Sequence, residues 1–156
     1  MILFKNLSLK NIVLSAIAAT SALFAILSLL FSVVNVSAFG ETEGTSGFKY
    51  LFDGGFDFQA FAAVLVLIVF VAAIAILALC VLVAVMSKDL ETYKKGLRLV
   101  TVANAVSALI YMIAGFVALA SDYTEIGNWG TAAFIPFIIA AVLTAGYFVG
   151  DKLIKD

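Results

Sequence analysis

Few residues in the apolar stretches of this chain have chemistry to offer. Thr101, Asn104, Ser107 and Tyr111 lie in one stretch, and Ser21, Ser28 and Asn35 in another. Ser21, Ser28 and Asn35 repeat every seven residues, and Asn104 and Tyr111 are seven apart. On helices each set therefore shares one face. Such faces supply hydrogen bonds but no strong acid, base or nucleophile. The chain has no histidine, which removes Ser–His nucleophilic pairs. No Asp, Glu, Lys or Arg lies midway along any long apolar run. Proton-coupled transport and intramembrane proteolysis usually need such groups at membrane depth, and no glycine-rich phosphate loop is present. Cys80 is the one cysteine and lies within an apolar run, so neither an intrachain disulfide nor a thiolate metal cluster is expected. It reads as a small packing residue. The inventory predicts a non-enzymatic protein with no cofactor and no metal site. Asn104 is its best single candidate for a functional residue, because an amide in hydrocarbon needs a partner to offset its desolvation. Interhelical hydrogen bonding is the plainer role for it.

The elements that position these residues follow from hydropathy. Ala60 to Met86 contains no proline, glycine or charge, and about 20 apolar residues suffice to cross a bilayer core of roughly 30 Å. With 65% hydrophobic and 12% charged residues, lipid is the expected solvent. Four spans are predicted, over about 11–39, 60–86, 97–120 and 129–150, forming one all-α integral membrane four-helix bundle that occupies residues 1–156. Lys5 and Lys10 before the first run raise a signal peptide with Val36, Ser37 and Ala38 at the cleavage site. The run is too long for a signal core of about 7 to 15 residues, so an uncleaved span is expected.

Lys5, Lys10, Lys88, Lys94, Lys95, Arg98, Lys152 and Lys155 fall on one side of this layout and only Lys49 on the other. The positive-inside rule places both termini in the cytoplasm, and the short chain with one cysteine suggests a bacterial inner membrane. Glu41, Glu43, Asp53, Asp57, Asp122 and Glu125 make the outer side mildly acidic. That acidity would attract cations, although translocated loops lacking Lys and Arg explain it more simply. Nine basic residues without a dense patch give no surface for nucleic acid.

Outside the spans, Phe48, Tyr50, Phe52, Phe56, Phe58 and Phe61 surround Asp53, Gly54 and Gly55. Aromatics at alternate positions about a glycine turn predict a short β-hairpin with one aromatic face in the first outer loop. That face reads either as an outer docking surface or as an interfacial aromatic belt. Gly146 with Gly150, and Ala141 with Ala145, form small-xxx-small pairs that would let the fourth helix approach a neighbour closely. Pro136 is expected to kink that helix, and Trp129 to anchor its start at the interface.

Four spans, both termini inside and a longer first outer loop resemble the layout of claudin-type and MARVEL-type membrane proteins. The claudin outer-loop signature requires tryptophans and a cysteine pair, and Gly40 to Gln59 contains neither, so no claudin activity or site follows. Val33 to Leu51, with Val-Ser-Ala-Phe-Gly followed by Ser-Gly-Phe, is similar to small uncharacterised bacterial four-span membrane proteins, which implies no activity. The expected function is non-catalytic helix association, as an accessory subunit or in self-assembly, with a membrane protein or a second copy as partner beside the lipid bilayer. The alternative is an oligomeric channel or small-solute pathway lined by Thr101, Asn104, Ser107 and Tyr111. A lipid or apolar ligand between the helices is a third reading.

Overall fold

A computed structural model describes residues 8–38, 41–120 and 128–154. Among these residues four helices are long and apolar enough to cross a membrane, as expected of an all-α multi-pass bundle. Helix α1 (Leu9–Leu27) starts at Ser8, whose hydroxyl accepts the Asn11 amide, and tightens into a 3-10 turn over Ser28–Leu30. Strands β1 (Ser32–Ala38) and β2 (Glu41–Ser46) follow, then two short helices, α2 (Gly47–Phe52) and α3 (Gly55–Phe58). Helix α4 (Ala60–Met86) leads to α5 (Leu90–Leu119), β3 (Asn128–Gly130) and α6 (Phe134–Leu153). Asp89 caps α5 by accepting the Thr92 amide at 2.7 Å, and this hydrogen bond to the charged carboxylate holds its pKa below the ordinary value.

The first span is shorter than the hydropathy suggests, ending at Leu30 rather than residue 39. Val34-Asn-Val-Ser alternates β-branched and polar residues, a period-two pattern suited to a strand, and the adjacent pair Val33 and Val34 falls where the register of β1 on β2 shifts. Asn35 consequently lies on β1, outside the helical repeat that Ser21 and Ser28 suggested, and so do Val36, Ser37 and Ala38. The hairpin forms between β1 and β2, not within the aromatic segment. Ala38 opposes Glu41 and Val36 opposes Glu43, while β3 pairs with the other edge of β1, giving the order β2-β1-β3.

The third helix begins at Leu90, well before residue 97, because the segment carrying Glu91, Lys94, Lys95 and Arg98 continues the helix beyond the apolar run. The fourth begins at Phe134, not residue 129. Pro136 therefore lies in the first turn, where a missing backbone donor costs no helical bond and imposes no kink. Trp129 belongs to β3 rather than to a helix start. Lys5, Asp122, Glu125 and Lys155 lie outside the described residues, as do Phe39 and Gly40.

Helix α5 is the centre of the bundle, packing on α4, α6 and α1, and α1 touches all three other long helices. Ser15 and Tyr93 share a hydroxyl hydrogen bond of 2.7 Å, and the Tyr111 hydroxyl donates to the Phe31 carbonyl. These pairs, 78 and 80 residues apart in sequence, set α1 and α5 parallel. Small residues on the inner face of α1, Ala18, Ala22 and Ala25, are fully buried and permit the close approach. One apolar core packs Leu29, Val66, Val69, Tyr111 and Ala114 at the end carrying the sheet; another packs Leu14, Ala73, Leu97, Val100 and Tyr147 at the opposite end. There Asp151 of α6 meets Lys10 of α1 at 3.4 Å and Arg98 of α5 at 3.6 Å.

Candidate functional site

The polar face of α5 is enclosed within a single chain. Thr101, Asn104, Ser107 and Tyr111 are all buried. The Thr101 hydroxyl donates to the Leu97 carbonyl at 3.0 Å, so it is satisfied within its own helix. Asn104 Nδ2, Ser107 Oγ and Ser21 Oγ are buried without a hydrogen-bond partner among the described residues. With the register set by Ser15–Tyr93 and Phe31–Tyr111, Ser21 stands level with residues 99–101 and Ser28 with residues 106–108. A thin polar layer thus lies between the two apolar cores. Tyr111 has a structural task, since its hydroxyl ties α5 to Phe31, where α1 passes into β1. A Cβ on Gly47 would lie 2.7 Å from that hydroxyl and 2.9 Å from Leu29, so glycine is needed for this approach.

The small residues of α6 divide between two faces. Ala141, Ala145 and Gly146 are exposed on the bundle surface, whereas Gly150 is buried. A Cβ at Gly150 would stand 3.6 Å from Leu14 of α1, and one at Gly146 4.0 Å from Ile17. The Gly146–Gly150 side of α6 therefore borders α1, while Ala141 and Ala145 face outward.

Beside the polar layer, α4 and α5 diverge and leave a lipid-level groove of about 480 Å³, lined by Ala72, Ala75, Ile76, Leu79, Val102 and Ala103 among others. Ser107 is its single polar lining residue. The small side chains on both walls make it shallow and smooth, and α4 beyond Ile76 has no buried residue as far as its last, Met86.

The aromatic segment folds into α2 and α3, not a hairpin, and its rings do not share one face. Two residues turn a helix by about 200°, so alternate positions point to opposite sides. Tyr50 is buried; Phe52 and Phe56 are exposed, as is Phe61 at the start of α4. Phe48 and Phe52 meet Phe70 edge-on at 6.1 and 5.9 Å. Phe58 turns the other way and stacks on Trp129 at 5.5 Å with 27° between the rings.

This divergence builds a pocket of about 300 Å³ that the sequence pattern did not announce. The sheet forms one wall. Glu43, Val36 and Trp129 lie directly across β2, β1 and β3 from one another, and Val34 opposes Thr45 in the next row. Opposed residues project to the same face, and all five line the pocket. The other wall is Tyr50, Asp53, Gly54, Gly55 and Phe58. Gly54 has φ +95°, and a Cβ on Gly55 would fall 1.9 Å from the Tyr50 carbonyl oxygen, so only glycines allow this rim. The Tyr50 hydroxyl donates to the Gln59 carbonyl at 3.1 Å, and burial pushes its pKa up to about 12.

No protein-family model, curated protein or solved structure matches the chain.

Proposed function

We propose that the protein is a non-catalytic integral membrane component that works by association with other membrane helices, as an accessory subunit or with copies of itself. The observation that carries this reading is the α4–α5 groove, whose alanines leave room for a neighbouring helix at lipid depth. Its proposed setting is a bacterial inner membrane. The basic residues Lys10, Lys94, Lys95, Arg98 and Lys152 gather at the end remote from the sheet, which supports a cytoplasmic location for that end and for both termini. The sheet and the pocket then face outward.

Burial of Thr101, Asn104 and Tyr111 inside one chain weighs against a pore lined by that face between copies. The unpartnered hydroxyl and amide groups of Ser107 and Asn104 are what a solute pathway would have to recruit, and association is the simpler use of the surface.

The experiment is native mass spectrometry after mild extraction at native expression level, comparing the wild type with Ala75→Trp and Ala103→Trp, which fill the groove. The wild type is expected to carry a second copy or a partner chain, and both variants are expected to lose it. Ala141→Trp, on the exposed side of α6, is expected to retain it. A wild type that is always a single chain, or a complex indifferent to both groove variants, overturns the reading.

A further inference from the structure

We infer that the pocket between the sheet and the α2–α3 turn binds a small organic ammonium ion, with Glu43 and Asp53 as counter-charges and Tyr50, Phe58 and Trp129 as its aromatic walls. Three observations converge on this chemistry. The first is the shape. A cavity of about 300 Å³ is at the small end of ligand pockets, and its walls are preformed. The Tyr50 ring is held by its bond to Gln59, Phe58 packs edge-on against it at 6.3 Å, and Trp129 stacks on Phe58.

The second is the pairing of charge with rings. Glu43 and Trp129 flank Val36 across the sheet, two strand spacings or roughly 10 Å apart along the backbone. A cation seated over Val36 has a carboxylate on one side and an indole on the other. Asp53 lines the opposite wall, and among the described residues none that lines the pocket is basic. Aromatic faces attract ammonium groups, most strongly those whose alkyl substituents also need apolar contact, and Val34 and Val36 supply that contact.

The third is what the pocket lacks for a hard metal ion. Calcium takes six to eight oxygen ligands, and among the described residues no group of three or more His, Cys, Asp or Glu is placed to hold a metal. Two carboxylates and one threonine hydroxyl among rings and valines suit an organic cation better. The same ammonium chemistry is offered by a free amine and by the headgroup of a choline lipid.

Trp129 is the only tryptophan in the chain, so tryptophan emission, excited beyond the tyrosine absorption band, reports this pocket alone. The test titrates the full chain, purified in a maltoside detergent free of quaternary ammonium groups, with choline and with its neutral isostere 3,3-dimethyl-1-butanol. Choline is expected to give a saturable change in Trp129 emission and the isostere none. The double variant Glu43→Gln/Asp53→Asn, at two exposed positions, is expected to bind choline about tenfold more weakly with unchanged helical circular dichroism. Dioctanoyl phosphatidylcholine in the same titration separates the sources: a tighter response than choline assigns the site to a lipid headgroup, a weaker one to a free cation. Equal responses to choline and the isostere, no saturable response, undiminished binding by the double variant, or displacement of choline by millimolar calcium each overturn the inference.

Discussion

Tyr111 and Tyr50 carry more of this structure than their positions on apolar or aromatic stretches suggest. Tyr111 holds the junction where α1 gives way to β1 by donating to the Phe31 carbonyl. Tyr111→Phe leaves that buried acceptor without its donor and is expected to cost about 1 to 2 kcal/mol, read as a lower midpoint in thermal or denaturant unfolding in detergent. Tyr50 gives a pH signature. Its phenol is held up to about 12 by burial, so the folded state favours the neutral form more than the unfolded chain does. Its contribution to stability is complete below the ordinary tyrosine value near 10 and is lost as pH rises through about 12. Trp129 emission is expected to shift over that window in the wild type, and much less in Tyr50→Phe. Asn104, an amide expected to need a partner in hydrocarbon, is buried with Nδ2 unpartnered among the described residues. Only the neighbours that packing places around it could reveal that.

Among the elements, α6 separates two uses of small residues that sequence spacing treats alike. Gly150 is buried against α1, where an added Cβ would already be in van der Waals contact with Leu14 at 3.6 Å. Ala145 is exposed. Gly150→Leu is expected to destabilise the isolated chain by about 1 to 3 kcal/mol through overpacking, whereas Ala145→Leu is expected to stay within about 0.5 kcal/mol of the wild type. Thermal melts of the two variants in the same detergent check this. Equal effects would show that the spacing rule, not the face, governs the helix. β1 teaches the converse lesson. Its residues extend an apolar run, and hydropathy alone carries the first span to residue 39. The alternation of Val34 to Ser37 is legible as strand, but it prevails only because β2 and β3 pair with the two edges of β1. The aromatic segment reads as a hairpin by its own alternation, yet it forms two short helices, the first capped by Ser46, and among the described residues no strand pairs with it.

For the whole molecule, the two ends of the bundle are closed differently. One end is drawn together by Asp151, which bridges Lys10 and Arg98 from three separate helices; the other is capped by the sheet and the two short helices. Asp151→Asn is expected to lower stability by about 1 kcal/mol at low salt, with the difference shrinking in 1 M salt as screening replaces the lost bridge. Unfolding curves at the two ionic strengths decide it. The sequence by itself determined the number of long apolar helices and the expectation of lipid as solvent, because a run such as Ala60 to Met86 has no alternative way to hide its side chains and satisfy its backbone. It also determined that the polar residues of α5 share one face, which follows from helical period alone. Tertiary structure decided what that face meets, which small residues of α6 are covered, and above all the pocket. Glu43, Tyr50, Phe58 and Trp129 belong to four different elements. Strand register and a glycine turn bring them together, and neither long-range pairing nor the direction in which a ring leaves a short helix is written in local spacing.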